Sequence, residues 1–222
     1  MAINWFPLWI SLRVAALATL VSVVVGLWIA YMLANRNFRG KELLDSVVTL
    51  PLVLPPTVLG YYLLVVLGRS SPLGHFYEWA FGAPLVFTWQ AAVVASTFHA
   101  IPLLVKSARA AFEMVDRSYE KAARNLGASD WRVFWRVTLP LSRRAVIAAS
   151  VLAFARALGD FGATLMIAGD IPGKTQTAAI AIYDAVESGD TLLARVLVLV
   201  LSAVAIGIVY AANRLQQRQV TG

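Results

Sequence analysis

The chain has 222 residues, of which 59% are hydrophobic and only 14% are charged, and its mean hydropathy is +0.72. A water-soluble domain of this length could not cover so much apolar surface, so lipid must be the solvent for most of the chain. The net charge of +7 does not require a nucleic-acid partner, because the basic residues cluster between apolar runs. The absence of cysteine excludes disulfides, thiolate metal sites and cysteine nucleophiles.

Five apolar stretches are each long enough, at about 20 residues, to cross a hydrocarbon core about 30 Å thick. They are residues 8–34, 46–67, 83–105, 145–167 and 192–212. Because backbone polar groups in lipid must pair within their own segment, all five are predicted to be helices. The first is too long for the core of a signal peptide and lacks its basic flank, which favours a retained membrane helix. The expected fold is a single all-α integral membrane domain over residues 1–222.

Lysine and arginine are distributed unequally among the gaps between these stretches. They are concentrated in the first gap, the third gap and the C-terminal tail, whereas the second gap contains only Arg69 and the fourth only Lys174. The positive-inside rule then predicts an N-terminus outside the cell membrane and a C-terminus in the cytoplasm. It also places the long loop 106–144 in the cytoplasm.

Residues 168–175, AGDIPGKT, look at first like a phosphate-binding loop. Such a loop needs a strand before it and a helix after it, whereas this one follows a membrane helix on the outer side, away from cytoplasmic ATP. The first position is also Ala168, where the stricter pattern has glycine. The prediction is therefore an exposed turn formed by Pro172 and Gly173.

Residues 118–144, SYEKAARNLGASDWRVFWRVTLPLSRR, are too long for a simple connection and too patterned for disorder. The pattern predicts a helix over 119–126 that stops at Gly127. A second short helix, over 129–137, is predicted to begin at the N-cap Ser129 and to be broken by Pro140.

Three aromatic residues, Trp131, Phe134 and Trp135, share one face of this second helix at spacings i, i+3 and i+4. A free cytoplasmic helix should not expose such a face. The rings either pack against the same chain or in the lipid interface, or they fill a groove on a partner subunit. Periodicity alone favours neither alternative.

The second apolar stretch contains three prolines, Pro51, Pro55 and Pro56, with Gly60 a turn further on. Each proline removes a helical hydrogen bond, so this helix should be kinked or locally unwound. Freed backbone groups at membrane depth are tolerated only against protein or a water-filled cavity, which predicts that this face lines the centre of a dimer. The alternative is a kink that serves packing alone.

The fourth stretch carries Arg156 and Asp160 four residues apart, so that they can pair on one helix face. Either residue alone would cost about 2.5–3.5 kcal/mol at the helix centre. With Gly159 and Gly162 permitting close approach, we expect the pair at a gate or at the dimer seam. A structural ion pair remote from the pathway is the alternative.

Other polar residues receive more modest interpretations. Arg13 is expected to snorkel towards the outer interface rather than to attract an oxyanion. His99 could suggest catalysis with Ser96, but the motifs and metal-ligand spacings that would support this are missing. We expect a buried, hydrogen-bonded histidine in a proline-broken helix. Hydroxyls such as Thr57 and Thr164 are candidates to line a translocation path.

The segment Glu120-Lys121-Ala122-Ala123, with Gly127 and Leu139-Pro140 after it, resembles the EAA loop of ABC importer permeases. Here the glutamate lies one position earlier than in the family, because Lys121 directly precedes Ala122. Two longer stretches, residues 38–64 and 152–169, look like those of the molybdate-specific permeases of this group. Together these segments extend the resemblance over most of the chain.

The resemblance implies a type I ABC importer permease fold in the cell (inner) membrane. It also implies a homodimer with two cytoplasmic ATPase subunits, which would carry ATP and Mg²⁺, and an extracytoplasmic molybdate-binding protein; no cofactor or metal is expected in this chain. The residues assigned to ATPase coupling are Glu120, Ala122, Ala123, Gly127, Trp131, Phe134, Trp135, Leu139 and Pro140. Those assigned to a path or gate are Pro51, Pro55, Pro56, Thr57, Arg156, Gly159, Asp160 and Thr164.

Alternatives to this function remain open at the level of sequence. Molybdate, tungstate and sulfate are all tetrahedral dianions, and physics alone does not separate them here. An ion-gradient-driven secondary transporter would usually carry internal repeats and acidic relays. An intramembrane hydrolase is disfavoured because the chain has few pairs of nucleophile and base. Uptake that is insensitive to ATP depletion, with the ion gradient intact, would favour the secondary transporter, and hydrolysis that survives removal of every partner would favour the hydrolase.

Overall fold

The computed structural model describes residues 4–218, with side chains over residues 4–212. Every regular element in that part of the chain is a helix. The α-helices are α1 Phe6–Asn35, α2 Lys41–Val53, α3 Pro56–Leu67, α4 Pro72–Phe81, α5 Trp89–Glu113, α6 Arg117–Asn125, α7 Asp130–Val133, α8 Leu139–Leu158, α9 Gly162–Ala168, α10 Ala178–Glu187 and α11 Thr191–Arg218. A π-helical turn, Phe134–Thr138, joins α7 to α8.

Four helical stretches in the described part are long and apolar enough to cross a membrane. They are Phe6–Asn35, Trp89–Glu113, Asp130–Leu158 and Thr191–Ala212. Helices α2 and α3 pass the same test only together, and they are bent by 116° at the break between them. The chain has five spans if this bent pair counts as one, as the sequence predicts.

The centre of the bundle is formed by α1, α5 and α8, which pack closely because their contact faces carry small residues. Ala15 and Ala18 on α1, Ala100 on α5 and Ala149 and Ala153 on α8 lie in one buried cluster. Small residues let membrane helices approach each other, so dispersion contacts replace the hydrophobic driving force that lipid does not provide. This bundle is the frame that carries both the cytoplasmic loop and the broken helices.

Helix α5 differs from the predicted third span at both ends. It begins at Trp89 rather than at residue 83, and it extends two turns beyond residue 105 to Glu113. Pro102 lies inside it without ending it, so the expectation of a proline-broken helix around His99 is wrong. Proline costs about 3 kcal/mol in a helix interior. Burial along α5 against α1 and α8 outweighs that cost.

The predicted fourth span is interrupted. Helix α8 ends at Leu158 and α9 begins only at Gly162, with Gly159, Asp160 and Phe161 outside both helices. Asp160 therefore lies in a helix break and not at a helix centre. Arg156 lies in the last turn of α8, so the two residues do not pair along one continuous helix as predicted.

Pro140 does not break the helix that precedes it. The five residues Phe134–Thr138 form a π-helical turn in which the Leu139 N–H donates to the Phe134 carbonyl, one residue further back than in an α-helix. This shift accommodates a proline, which lacks an N–H and clashes with the preceding turn. The predicted separate helix over 129–137 is therefore wrong: it is continuous with α8.

The loop after α9 forms the exposed turn that the sequence predicts. Pro172, Gly173 and Lys174 are exposed, and Gly173 has a φ of +74°. The buried Thr175 hydroxyl accepts a hydrogen bond from the Ile171 N–H and donates one to the Gly169 carbonyl, both at 3.2 Å. A helix precedes this turn where a phosphate-binding loop would have a strand.

Candidate functional site

The loop between α5 and α8, residues 114–138, is anchored to the membrane bundle by one buried carboxylate. Glu120 on α6 is only 4% exposed, and its Oε1 accepts a hydrogen bond of 2.6 Å from the Thr138 hydroxyl in the π-helical turn. Asn35, at the end of α1, donates to the same oxygen at 3.5 Å, and the Arg124 guanidinium lies 3.5 Å from the other. Glu120 thus joins α6 to α1 and to the α7–α8 helix.

Both ends of α6 are defined by side chains and turns that the sequence indicates. Asp116 caps the N-terminus by accepting a hydrogen bond of 2.8 Å from the Ser118 N–H, and this bond lowers the pKa of Asp116. At the other end Gly127 adopts a φ of +81°, and the Ala128 N–H closes the helix on the Ala123 carbonyl at 3.0 Å. The predicted stop at Gly127 is confirmed.

Three large apolar side chains project from this part of the loop into solvent. Leu126 is 89% exposed, Met114 is 87% exposed and Tyr119 is 58% exposed. Sequence reasoning did not select any of them as a site residue. The available signal was Leu126 itself, a leucine that follows a strongly polar helix directly before its glycine stop. Exposed apolar groups on a polar loop are typical of a surface that another protein covers.

The aromatic face predicted for 131–135 is divided by the fold. Phe134 is only 7% exposed and packs against Tyr31 and Phe112, with ring centroids at 4.8 and 6.0 Å. Phe134 cannot contact a partner, so the prediction of a three-ring docking face is wrong for this residue. Trp131 and Trp135 remain exposed.

Trp131 borders a groove of about 220 Å³ between α1 and α7. Trp28 of the membrane-crossing helix α1 lines the same groove and is exposed, and Arg36 lines it as well. Tryptophan beside arginine is typical of the level of lipid headgroups. The shared groove favours the lipid-interface alternative for Trp131 over a docking role.

Trp131→Arg separates these two interpretations. At a lipid interface the arginine can keep its charge in the headgroup region. We therefore expect the variant permease to copurify with its ATPase partner as the wild type does. Loss of copurification, with normal membrane insertion, would contradict the lipid interpretation.

Surface ion pairs connect α1, α6 and α7. Asp130 accepts from Arg36 at 2.9 Å and from Arg124 at 3.1 Å, and Arg124 also faces Glu120. Each exposed pair contributes little by itself. Their common effect is to hold the start of α7 in register with α6.

Removing the Glu120 anchor is expected to loosen this loop. Hydrogen bonds to charged groups contribute about 1.5–3 kcal/mol, so Glu120→Ala should lower the stability of the purified protein by about that amount. Thr138→Val leaves a buried carboxylate without its donor, and the double variant should lose less than the sum of the two. Thermal unfolding of the purified variants in detergent measures these losses of stability. Glu113→Ala, which removes an exposed carboxylate nearby, is the control.

On the membrane side, the two helix breaks lie against each other. A Cβ added to Gly162 would be 3.1 Å from the Pro56 Cβ and 3.5 Å from the Thr57 nitrogen. The break between α2 and α3, at Leu54 and Pro55, is therefore in close contact with the start of α9. We call the exposed residues Pro55, Pro56, Thr57 and Gly159 the break surface.

Individual expectations for the broken helices are met in part. The second stretch is broken as predicted, at Pro55 and Pro56, but Pro51 lies inside α2 without breaking it. Gly162 permits close approach, whereas a Cβ at Gly159 would meet only the Ala155 carbonyl oxygen of its own helix, at 3.6 Å. Within one copy of the described chain no neighbouring helix comes within 4 Å of a Cβ at Gly159, so its close approach at a dimer seam stays a prediction.

Asp160 has closer partners than the predicted Arg156. Its Oδ1 lies 2.7 Å from His99 Nδ1 and 3.5 Å from Arg156 Nη1, and its Oδ2 accepts a hydrogen bond of 2.6 Å from the Thr164 hydroxyl. The Arg156 contact exists, but it is the longest of the three. His99 was expected to be buried, which is confirmed. That it meets Asp160 could not be read from residues 61 positions apart.

The two threonines assigned to the path have different environments. Thr57 is exposed on the break surface, whereas Thr164 is fully buried and uses its hydroxyl on Asp160. Thr164 is thus a support of Asp160 and is not open to a solute. Arg13, the other polar candidate, lies 3.9 Å from the centre of the Trp89 ring in a cation–π contact at the outer end of α1.

The titratable groups of the described chain do not form a metal centre. No three His, Cys, Asp or Glu side chains come together there as ligands of one ion would. The contacts described above group the candidate site residues into two parts. One is the loop from α6 to the π-helical turn, and the other is the break surface with the buried Asp160 cluster.

This combination of a helical membrane bundle, a helical loop between α5 and α8, and two broken helices defines a type I ABC importer permease fold. A subunit in inward-facing structures of the MetNI methionine ABC transporter has the same fold, with a TM-score of 0.75, 15% identity, and coverage of 96% of this chain and 94% of the other. The family described as "Binding-protein-dependent transport system inner membrane component" matches residues 22–220, and the chain belongs to that family. It is a multi-pass membrane permease component and not an enzyme.

Similar chains are named for the transport of molybdenum and of sulfate. The chain is 47% identical over 186 residues, 83% of its own length and 81% of the relative's, to "Molybdenum transport system permease protein ModB" of Escherichia coli K12. It is also 33% identical over 207 residues to "Probable sulfate transport system permease protein cysT" of Chlorokybus atmophyticus. That match covers 93% of this chain and 72% of the relative.

Proposed function

We propose that this chain is the membrane-spanning subunit of an ATP-driven importer that moves molybdate into the cell. The observation that carries the proposal is 47% identity, across about four fifths of both chains, to a molybdenum transport permease. The EAA-like loop and its anchor at Glu120 support the ATP-driven class. ATP and Mg²⁺ bind to a separate ATPase subunit, because the one phosphate-loop-like segment of this chain is a turn after a membrane helix.

The proposed assembly contains two copies of this chain, two ATPase subunits and an extracytoplasmic binding protein. Four or five spans are few for a solute pathway, which supports a dimer whose seam contains the path. The positive-inside distribution supports an outer N-terminus and a cytoplasmic C-terminus in the inner membrane. The binding protein then meets the outer ends of α1 and α10 and the loops beside them.

The ATPase acts on the exposed residues of the cytoplasmic loop. Leu126, Met114 and Tyr119 offer the apolar surface, while Ala122 and Gly127 are exposed beside them. Glu120, Ala123, Leu139 and Pro140 shape the loop and its junction with α8. Because α6 follows α5 after three residues and α7 continues into α8, movement of the loop tilts two membrane helices. The path opens and closes at the break surface.

Sulfate is the second candidate cargo, on one specific observation. The chain is 33% identical over 93% of its length to a protein named as a probable sulfate transport permease. The two dianions share tetrahedral shape and charge, so a permease path lined by dipoles and hydroxyls would discriminate weakly between them. Tungstate has the same shape and charge, and a permease should in any case hold its ion loosely enough to release it.

Uptake of labelled molybdate in cells with and without the gene tests the cargo. We expect uptake at low molybdate concentration to disappear on deletion, to be reduced by excess tungstate and to be little affected by excess sulfate. Restoration by a plasmid copy of the gene controls for effects on neighbouring genes. Uptake that is unchanged by deletion would contradict molybdate as the cargo, and strong competition by sulfate would favour the sulfate alternative.

A further inference from the structure

Asp160 is surrounded by His99, Thr164 and Arg156, and Arg156 is the most distant of the three. Asp160 is 1% exposed in its side chain, and so is His99, whereas the Arg156 side chain is 29% exposed. His99 Nδ1 lies 2.7 Å from Asp160 Oδ1 and is the nearest partner of that oxygen. Asp160 Oδ2 accepts a hydrogen bond of 2.6 Å from the Thr164 hydroxyl.

Each oxygen of the Asp160 carboxylate thus has a partner closer to it than Arg156. Charge-assisted N–H···O bonds are usually about 2.7–2.9 Å long. The Arg156 guanidinium lies 3.5 Å from Asp160, outside that range. Asp160 compensates the arginine charge at short range, but it does not occupy the donors of the guanidinium.

Arg156 also lies on the open side of its helix. Leu152, one turn before it, and Gly159, three residues after it, are both exposed. Gly159 begins the break between α8 and α9, and the start of α9 meets Pro56 and Thr57 through Gly162. Arg156 therefore lies one turn before this helix break, with its side chain partly exposed.

We propose that Arg156 is a transient contact for the translocated oxyanion, and that His99 is the positioning residue that keeps Arg156 available. The proposal rests on the proposed function, and it deepens it by naming an anion-contacting side chain. A guanidinium binds a tetrahedral oxyanion through two N–H donors in one plane. The Asp160 carboxylate behind it weakens the net positive field, so the ion is attracted but not trapped, as conduction requires.

The role of His99 follows from what its removal would do. Without the histidine, Asp160 Oδ1 would lose its nearest polar partner, which is costly for a buried carboxylate. The nearest donor is the Arg156 guanidinium, and closing the 3.5 Å gap would turn a loose contact into a tight ion pair. Arg156 would then be withdrawn from the path. Neutralising Asp160 in the same chain should release it again.

The test uses the complete transporter, with ATPase subunits and binding protein, in proteoliposomes that take up labelled molybdate. Arg156→Gln should reduce ATP-driven uptake about tenfold to a hundredfold, the effect of losing a charge-assisted hydrogen bond. Arg156→Lys should retain an intermediate rate, since it keeps the charge and loses the planar fork. Arg144→Gln, on the cytoplasmic end of the same helix, should leave uptake unchanged and serves as the matched control.

The decisive comparison is between His99→Leu and the double variant His99→Leu/Asp160→Asn. We expect the single variant to lose uptake as Arg156→Gln does, and the double variant to recover most of it. A merely structural role of the histidine predicts the reverse, because the double variant would lose another contact. Copurification with the ATPase shows that each variant is assembled.

A failure of the Arg156 proposal can be distinguished from a failure of the proposed function. If the wild-type complex shows no ATP-dependent uptake of molybdate, tungstate or sulfate, the proposed function fails. If the wild type transports and Arg156→Gln transports equally well, the anion contact is wrong. If Arg156→Gln is impaired but the double variant is no better than His99→Leu, the positioning role of His99 is wrong.

Discussion

Leu126→Asp is expected to abolish ATP-driven uptake while the protein still inserts into the membrane. Leu126 is 89% exposed at the end of α6, beside the positive-φ glycine that turns the chain. Burying a leucine in a partner contributes about 1.5–3 kcal/mol, which corresponds to a tenfold to hundredfold change in affinity. An aspartate at the same place adds the cost of burying a charge without a partner.

Copurification of the ATPase with the tagged permease measures this effect directly. Leu126→Met keeps the size and apolar character of the side chain and should behave as the wild type. Membrane insertion of all variants is checked by extraction with detergent and not with salt. Full copurification of the Leu126→Asp variant would show that the exposed end of α6 is not the docking surface.

Gly60→Val is expected to destabilise the membrane domain by an amount comparable to the loss of the Glu120 anchor. A Cβ at position 60 would lie 2.7 Å from the Met166 Cβ and 2.9 Å from the Ala163 Cα. Backbone atoms cannot rotate away, so α3 and α9 would have to separate. Overpacking of this kind typically costs about 1–3 kcal/mol and occasionally more.

The effect is measured as the thermal midpoint of the purified protein in detergent, together with the yield of folded protein. Gly207→Val is the matched control, because Gly207 lies in the membrane-crossing helix α11 and an added Cβ there meets no atom within 4 Å. Equal thermal midpoints for the two variants would contradict the close packing of α3 on α9.

Much of the fold could be predicted because lipid imposes strong constraints on a chain. Length and apolar character alone identify the first and last spans within a few residues, and Pro55 and Pro56 mark the break between α2 and α3. Gly127 marks the end of α6, since a left-handed position strongly favours glycine. These signals are local, so a sequence displays them directly.

Other features depend on contacts between distant residues. The break at Gly159 to Phe161 contains no proline, and it is supported by His99 and by the contact of Gly162 with Pro56. The π-helical turn replaces the expected break at Pro140 because Phe134 and Thr138 are both held in the core. Tertiary packing overrides local propensity at these places. The hydrophobic periodicity of the sequence carries no information about that packing.

The division of the aromatic face has the same cause. A helical wheel places Trp131, Phe134 and Trp135 together, but only Phe134 meets Tyr31 and Phe112 from other helices. Exposure, rather than residue type, then identifies Leu126 as a better docking candidate. We therefore place the proposed ATPase-docking surface at the end of α6 rather than at the start of the α7–α8 helix.

The central claim is that this chain moves an oxyanion inward when a separate ATPase hydrolyses ATP. The most direct test is reconstitution of the permease with its ATPase and binding protein in liposomes that contain ATP on the ATPase side. The account predicts molybdate uptake that requires hydrolysable ATP and the binding protein, and that persists when ion gradients are collapsed. Uptake that proceeds without ATP and stops when the ion gradient is removed would contradict it.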